Sequence, residues 1–275
     1  MFLFCKHRFD FCKDALRDTA DFCSINRKMM ELSQNTILIT EGTGGLGFGF
    51  AYKLIELGNK VIITGSNTQR LERAKKLLPA LQIITLDITR TEHIASLYER
   101  VIDEFPTLNV LINNSGDMPQ LVFHGSRILY DITREIEINM TGPVCMVQQF
   151  LPHLKTQESA AILNVTSGIA LVPYPVAPGQ SANRTELRSY TQSLREELKH
   201  TRIKVFELAA PGSFNPAHVP FTQVDSSMPN EFQAPDNIIE HAIRRLREDT
   251  YDIDPTLANL LRIRSRLASD SCFNN

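Results

Sequence analysis

The sequence has little excess charge of either sign and no long apolar run. Its formal net charge is −2, from 29 basic and 31 acidic side chains in 275 residues. Proteins that bind nucleic acid or anionic membrane surfaces carry a basic face or a polybasic run, so we expect neither partner here. A membrane-spanning helix needs about 18 or more consecutive apolar residues, and no segment has that many. Composition therefore argues against both nucleic acid and membrane.

The sequence also lacks closely spaced cysteines. Its five cysteines are far apart and have no histidine-rich neighbourhood: Cys5, Cys12, Cys23, Cys145 and Cys272. A disulfide framework or a zinc site would need paired spacings. We therefore expect reduced thiols, a cytoplasmic location and no metal.

The first residues do not have the composition of a targeting segment. Residues 1–28 carry three of the five cysteines, and charges of both signs interrupt any continuous apolar core. We expect residues 1–28 to be a disordered N-terminal extension and residues 30–275 to form one domain. Translation starting at Met29 or Met30 is an equally good interpretation.

Short apolar segments alternate with helical segments through the rest of the chain. This pattern predicts a single α/β domain of the Rossmann type, with a doubly wound parallel sheet in the order 3-2-1-4-5-6 and helices on both faces. The expected strands are 37–39, 60–64, 82–86, 108–112, 160–165 and 203–208, with 251–253 as a candidate seventh. The expected helices are 45–58, 91–105, 131–154 and 181–200. The segment 213–236 is long enough to form a lid or a specificity loop.

Residues 36–47 are the stretch around which this pattern is organised. An apolar strand breaks there into glycines, and a helical segment and a second strand follow. A strand, a glycine turn and a helix N-terminus together make an anion site, because exposed N–H groups and the helix dipole point into the turn. The strand that follows completes a βαβ unit and predicts a dinucleotide-binding fold.

The same stretch resembles the signature of the short-chain dehydrogenase/reductase family, Thr-Gly-x-x-x-Gly-x-Gly. Thr40, Gly45 and Gly47 are in register with it, and the resemblance extends over about residues 30–275. The stretch 164–168, Asn-Val-Thr-Ser-Gly, makes the DltE-like branch the most similar. The resemblance implies an oxidoreductase that moves hydride between NADP(H) and a small carbonyl or alcohol substrate. It also implies a homodimer or homotetramer.

Further motifs of the family identify candidate cofactor contacts. The segment 113–116, Asn-Asn-Ser-Gly, resembles the family's Asn-Asn-Ala-Gly, and Asp87 either meets the adenine or caps the helix that follows it. A Pro-Gly turn matches the segment near the nicotinamide. The implied cofactor-binding residues are Thr40, Gly45, Leu46, Gly47, Ser66, Asp87, Asn114, Gly116, Arg184, Pro211 and Gly212.

Two features of this half of the sequence affect the cofactor. Glu41 replaces the first glycine of the signature, and its carboxylate adds bulk and negative charge beside the expected phosphates. We expect binding to be weakened or lost. The second strand ends without the acid that would hold the ribose of NAD, and Ser66 and Asn67 stand there instead, with Arg70 or Arg73 near. This end of the strand favours NADP(H).

The family's catalytic tetrad of Asn, Ser, Tyr and Lys is only half present. Asn139 and Ser167 match its first two members, whereas the tyrosine and lysine positions, 13 and 17 residues after Ser167, hold Gln180 and Arg184. A glutamine amide does not exchange a proton at neutral pH, so acid–base assistance worth roughly 10²–10⁴ in rate would be missing. Arg184 keeps the positive charge with a different geometry. Tyr174 is a candidate substitute acid.

Three functions remain open from the sequence. The first is an atypical oxidoreductase in which water or Tyr174 supplies the proton. The second is a redox-neutral enzyme, a cyclase or isomerase, that reuses the pocket. The third is a catalytically inactive binding protein. The fold alone does not choose among them, because one fold carries many functions.

Overall fold

The computed structural model describes residues 30–114, 128–171, 178–210 and 236–253. Within these residues seven parallel strands form one sheet in the order β3-β2-β1-β4-β5-β6-β7. The strands are β1 Thr36–Ile39, β2 Lys60–Gly65, β3 Gln82–Thr85, β4 Leu108–Asn113, β5 Ala160–Ser167, β6 Ile203–Ala210 and β7 Asp252–Ile253.

Helices connect successive strands. They are α1 Gly45–Glu56, α2 Thr68–Leu77, α3 Thr91–Glu104, α4 Ile128–Ile136, α5 Gly142–Leu154, α6 Pro178–Glu197 and α7 Asp236–Arg247. A π-helical turn, Glu137–Thr141, joins α4 to α5, and a short 3₁₀ turn, Gly168–Ala170, follows β5.

The sheet is buried on both faces, as a parallel sheet requires. Every residue of β1, β5 and β6 is buried. Ile37 and Ile39 belong to an apolar cluster with Phe50 of α1. Leu38 points to the other face and belongs to a cluster with Phe150 of α5. Alternating side chains of the strands thus supply two cores, one on each face.

The predicted fold class and strand order are confirmed, including the seventh strand. The helix expected at 131–154 is broken in its middle by the π turn, and the helix expected at 181–200 begins at Pro178, which places Gln180 in its first turn. Helices α2 and α7 were not anticipated.

The π turn has a local cause in the sequence. The N–H of Gly142 donates to the carbonyl of Glu137, five residues back. Pro143 follows directly and has no N–H to donate to residue 139, so one α-helical hydrogen bond is lost at this point. The turn therefore marks the place where Asn139 enters the interior, with its side chain fully buried.

Several sequence predictions concern residues outside the described ranges. These are the N-terminal extension 1–28, the segment 213–235, Tyr174, Gly116, Pro211 and Gly212. Among the residues that the structure does describe, no helix has the length and apolar character needed to cross a membrane. In the same ranges, no group of three or more His, Cys, Asp or Glu side chains is arranged to hold a metal ion.

Candidate active site and cofactor site

The glycine turn after β1 is tied to the segment that follows β4. The backbone N–H of Asn114 donates to Thr40 Oγ1 at 3.0 Å, and Asn114 Nδ2 donates to the carbonyl of Glu41 at 3.1 Å. The two strands are neighbours in the sheet, so their carboxyl ends lie side by side. Two predicted cofactor residues, Thr40 and Asn114, are thus in direct contact.

The two signature glycines have different structural roles. Gly45 has φ 52°, and a Cβ added there would meet no atom within 4 Å. A Cβ added at Gly47 would lie 2.5 Å from Asn114 Nδ2 and 2.8 Å from the carbonyl of Glu41. Gly45 therefore leaves open space at the N-terminus of α1, and Gly47 allows the helix to pack against the turn. This geometry fits the pyrophosphate of a dinucleotide.

Glu41 adopts a backbone conformation that favours glycine. Its φ is 48°, which costs an ordinary residue about 1–2 kcal/mol. Its side chain extends toward the end of β2, since a Cβ added at Gly65 would lie 3.7 Å from Glu41 Oε2. This positive φ explains why the signature has glycine at its first position, whereas this chain has a half-buried glutamate there.

The end of β2 exposes the polar residues that the sequence identified. Ser66, Asn67, Arg70 and Arg73 are all exposed. The side chain of Asn67 already has a structural partner, because its Oδ1 accepts a hydrogen bond from the Arg70 N–H at 3.0 Å and caps α2. Ser66, Arg70 and Arg73 are the other polar groups of this cluster.

Asp87 does not cap the helix that follows it. The N-cap of α3 is Arg90, without a side-chain bond, so that interpretation was wrong. Asp87 Oδ1 instead accepts from the N–H and the hydroxyl of Thr89, at 3.1 and 2.7 Å. Partial burial raises the pKa of Asp87, but these bonds and the charges of Arg134 and Arg90 outweigh it and hold that pKa below its usual value. Asp87 stays ionised just after β3.

The four predicted tetrad positions converge at the carboxyl end of β5. Asn139 lies in the π turn and Ser167 ends β5, while Gln180 and Arg184 lie one helical turn apart in α6. All four are buried. Arg184 Nη1 donates to the carbonyl of Val165 at 3.1 Å, and Nη2 donates to Asn139 Oδ1 at 3.4 Å. The Arg184 guanidinium therefore connects α6, the π turn and β5.

Ser167 has a local role in this structure as well. Its hydroxyl accepts a long bond of 3.5 Å from the N–H of Ile169 and caps the 3₁₀ turn. The bond is at the limit of hydrogen-bond length, so the hydroxyl is still able to turn toward a ligand.

A glutamate that the sequence analysis did not identify lies beside Arg184. Glu135 of α4 is buried, with 2% of its surface exposed, and its Oε1 accepts from Asn183 Nδ2 at 3.2 Å. Burial lowers the pKa of Arg184 to about 10, and the charge of Glu135 opposes that shift. At neutral pH Arg184 is therefore still a cation, with a carboxylate as its partner.

Comparison with known proteins decides the family. Residues 35–223 match the model of the short chain dehydrogenase family. The chain belongs to this family. It is 40% identical over 183 residues to the uncharacterized oxidoreductase DltE of Bacillus subtilis. The aligned segment covers 66% of this chain and 73% of that protein. An uncharacterized oxidoreductase of Staphylococcus epidermidis is 28% identical over 66% of this chain and 79% of its own length. Within the short-chain dehydrogenases, the chain belongs to the DltE-like branch.

Solved structures show the same fold. A short-chain dehydrogenase of Burkholderia phymatum, determined in complex with NAD, superposes with a TM-score of 0.75 at 18% identity and covers 90% of this chain and 98% of that one. One from Burkholderia cenocepacia, in complex with NADP, gives a TM-score of 0.69 at 24% identity, covering 88% and 96%. At these identities the likeness concerns the architecture alone.

A sequence signal for Glu135 was present in this short-chain dehydrogenase. The segment 135–139 reads Glu-Ile-Glu-Ile-Asn, which places Glu135 four residues before Asn139 and so on the same helix face. Asn183, next to Arg184, gave no comparable signal. Asn183 and Glu135 come together because α6 packs against α4.

Proposed function

We propose that this short-chain dehydrogenase moves a hydride between a nicotinamide dinucleotide and a small carbonyl or alcohol, with Gln180 and Arg184 in place of the usual tyrosine and lysine. The observation that carries this proposal is the convergence of Asn139, Ser167 and Arg184 at the carboxyl end of β5. A cation, an amide and a hydroxyl thus surround the end of one strand, where ligands bind in sheets of this type.

The glycine turn supports the dinucleotide part of the proposal. Thr40, Gly45, Leu46 and Gly47 would hold the pyrophosphate at the N-terminus of α1, with Asn114 fixing the turn from the side. The predicted contacts of Gly116, Pro211, Gly212 and Tyr174 lie outside the described residues and stay predictions, as does the NADP(H) form favoured by Ser66. The Burkholderia phymatum structure is a complex with NAD and the Burkholderia cenocepacia structure is a complex with NADP.

The nicotinamide, when bound, supplies or accepts the hydride. Ser167 would orient the substrate oxygen by a hydrogen bond, and the cation of Arg184 would favour negative charge as it develops there. Gln180 can donate a hydrogen bond from its amide but cannot release a proton. The proton would come from water or from Tyr174, and we expect turnover about 10²–10⁴ below that of an enzyme with a tyrosine at this position.

Deuteride transfer tests the proposal directly. The purified protein would be incubated with 4-deuterated NADH or NADPH and a panel of small aldehydes and ketones, with mass spectrometry of the alcohols. We expect deuterium at the carbinol carbon and at least a tenfold loss of rate in Ser167→Ala. Ser193→Ala removes a hydroxyl from the exposed face of α6 and should leave the rate unchanged. Bound dinucleotide without deuterium transfer to any carbonyl would refute an oxidoreductase.

One observation favours the redox-neutral or non-catalytic alternative. The bonds of Arg184 to Val165 and Asn139 direct its guanidinium toward the protein, whereas a lysine in this position is expected to hold the ribose of the cofactor. In that case the pocket would bind a polar metabolite without exchanging hydride. A product isomeric with its substrate, formed without a change in NAD(P)H absorbance, would identify this function.

We also propose a cytoplasmic homodimer or homotetramer. Tyr130 and Ile136 of α4 are large apolar side chains that remain exposed, at 65% and 38%. They lie about 120° apart around the helix and form no common face, so the proposal rests on the resemblance to the family, whose members assemble in this way. Light scattering of the purified protein measures the assembly, and a monomer at micromolar concentration would refute it.

A further inference from the structure

We propose that Glu41 determines the cofactor preference of this protein and makes NAD(H), rather than NADP(H), the favoured dinucleotide. The carboxylate would accept hydrogen bonds from the hydroxyls of the adenosine ribose and repel a 2′-phosphate. This inference rests on the dinucleotide binding of the proposed function and reverses the preference that the end of β2 suggests.

The carboxylate of Glu41 lies close to the end of β2. Glu41 lies two residues after β1, and Ile39 of β1 is in register with Ile63 of the neighbouring β2. From this point the side chain reaches sideways, so that Oε2 lies 3.7 Å from a Cβ placed on Gly65. Gly65 is the last residue of β2. The carboxylate therefore stands over the end of the second strand, although it belongs to the turn after the first.

In this class of fold, residues at the end of the second strand contact the adenosine ribose of the cofactor. Proteins that bind NAD carry an acid there, whose carboxylate accepts from the ribose 2′-hydroxyl. This chain has no acid in residues 64–67. Gly65 has no side chain, and Asn67 uses its Oδ1 to cap α2. Glu41 thus supplies from the turn the negative charge that the strand itself lacks.

Two nearby cations favour the opposite preference and must be weighed. Arg70 and Arg73 of α2 are exposed, so solvent and salt screen their attraction for a 2′-phosphate. Glu41 is half-buried against the sheet, where a like charge on the ligand is screened less. We expect the repulsion to dominate and to give about a tenfold or greater preference for NADH.

Titration of the purified full-length protein with NADH and NADPH tests this inference by binding alone. Dissociation constants would be measured by nucleotide fluorescence for the natural protein, Glu41→Gln and Glu41→Gly. Glu72→Gln is the matched control, since it removes one negative charge from the exposed face of α2. We expect the natural protein and the control to prefer NADH by about tenfold or more, and Glu41→Gln to bring the ratio near one.

The outcomes separate this inference from the proposed function. A natural protein that prefers NADPH, or a ratio that Glu41→Gln leaves unchanged, overturns the role of Glu41 while dinucleotide binding stands. Binding that appears only in Glu41→Gly, and equally for both nucleotides, also overturns it, because the side chain would then block the site rather than select. Absence of binding in every variant at millimolar concentration refutes the proposed function itself.

Discussion

The double variant Gln180→Tyr with Arg184→Lys tests whether the pocket is that of an oxidoreductase lacking its proton donor. Gln180 lies in the first turn of α6, one turn before Arg184, so the two new side chains would share the face of the helix that packs on the π turn. A phenol beside an ammonium group exchanges protons near neutral pH. We expect kcat for carbonyl reduction to rise by about 10²–10⁴.

The structure also indicates how much unfolding free energy the double variant should lose. Arg184 bonds to Val165 and Asn139, and a lysine ammonium cannot match both bonds of the guanidinium; a buried acceptor left unsatisfied costs about 1–3 kcal/mol. A phenol in place of an amide at a position only 3% exposed adds an overpacking cost of about 1–3 kcal/mol. Domains have about 5–15 kcal/mol of unfolding free energy. The double variant should remain folded but be measurably less stable.

The assay is NADH and NADPH oxidation at saturating carbonyl, with urea unfolding of the same preparations. Gln180→Phe with Arg184→Lys is the matched control, because it has the ring without the hydroxyl. If the tyrosine variant is folded, binds dinucleotide and still turns over no faster than the phenylalanine variant, the missing phenol is not what limits this protein.

The remaining predictions concern buried charges. Arg184→Met should cost about 3–5 kcal/mol of unfolding free energy, because Glu135 would stay buried without its cationic neighbour. Adding Glu135→Gln should recover part of that loss in urea unfolding, and no recovery would mean that the two charges are not coupled. For Glu207, burial is the largest influence and raises the pKa above 4.5 despite the bonds from Thr166 and Arg188. A carboxyl with a raised pKa contributes most when protonated and loses that contribution as pH rises through the raised value. The stability of the natural protein relative to Glu207→Gln should therefore fall as pH rises from about 4.5, and a rising difference would contradict this.

The central strands were predictable from the sequence because they contain continuous apolar runs. Residues 37–39 and 160–163 are unbroken apolar runs in the sequence, and such runs are typical of strands covered on both faces. In the structure every residue of β1 and β5 is buried. The sequence analysis did not predict α2, a ten-residue helix in which Leu71 and Ala74 are the buried residues and polar or charged side chains fill most other positions. The interruption of the helix expected at 131–154 depends on the missing N–H of Pro143, which a search for apolar periodicity does not detect.

The site was predictable where a motif spacing fixed it. Counting from Ser167 placed Gln180 and Arg184 on one helix face, and the structure has both residues there. The contacts of Arg184 with Glu135 and Asn139 were not predictable in the same way. Glu135 and Asn139 come from another part of the chain, and they meet the guanidinium only because α6 packs against the π turn.

Burying the guanidinium of Arg184 has a cost in free energy, which its partners in the pocket offset. Taking a guanidinium out of water costs several kcal/mol unless other groups compensate. Here three groups of different elements do so, namely the carbonyl of Val165, the amide of Asn139 and the charge of Glu135. Replacing both partners of a buried ion pair by apolar side chains of similar volume is often neutral or stabilising, whereas removing one partner is not. What the charge does in this structure is hold the π turn and the carboxyl end of β5 to α6.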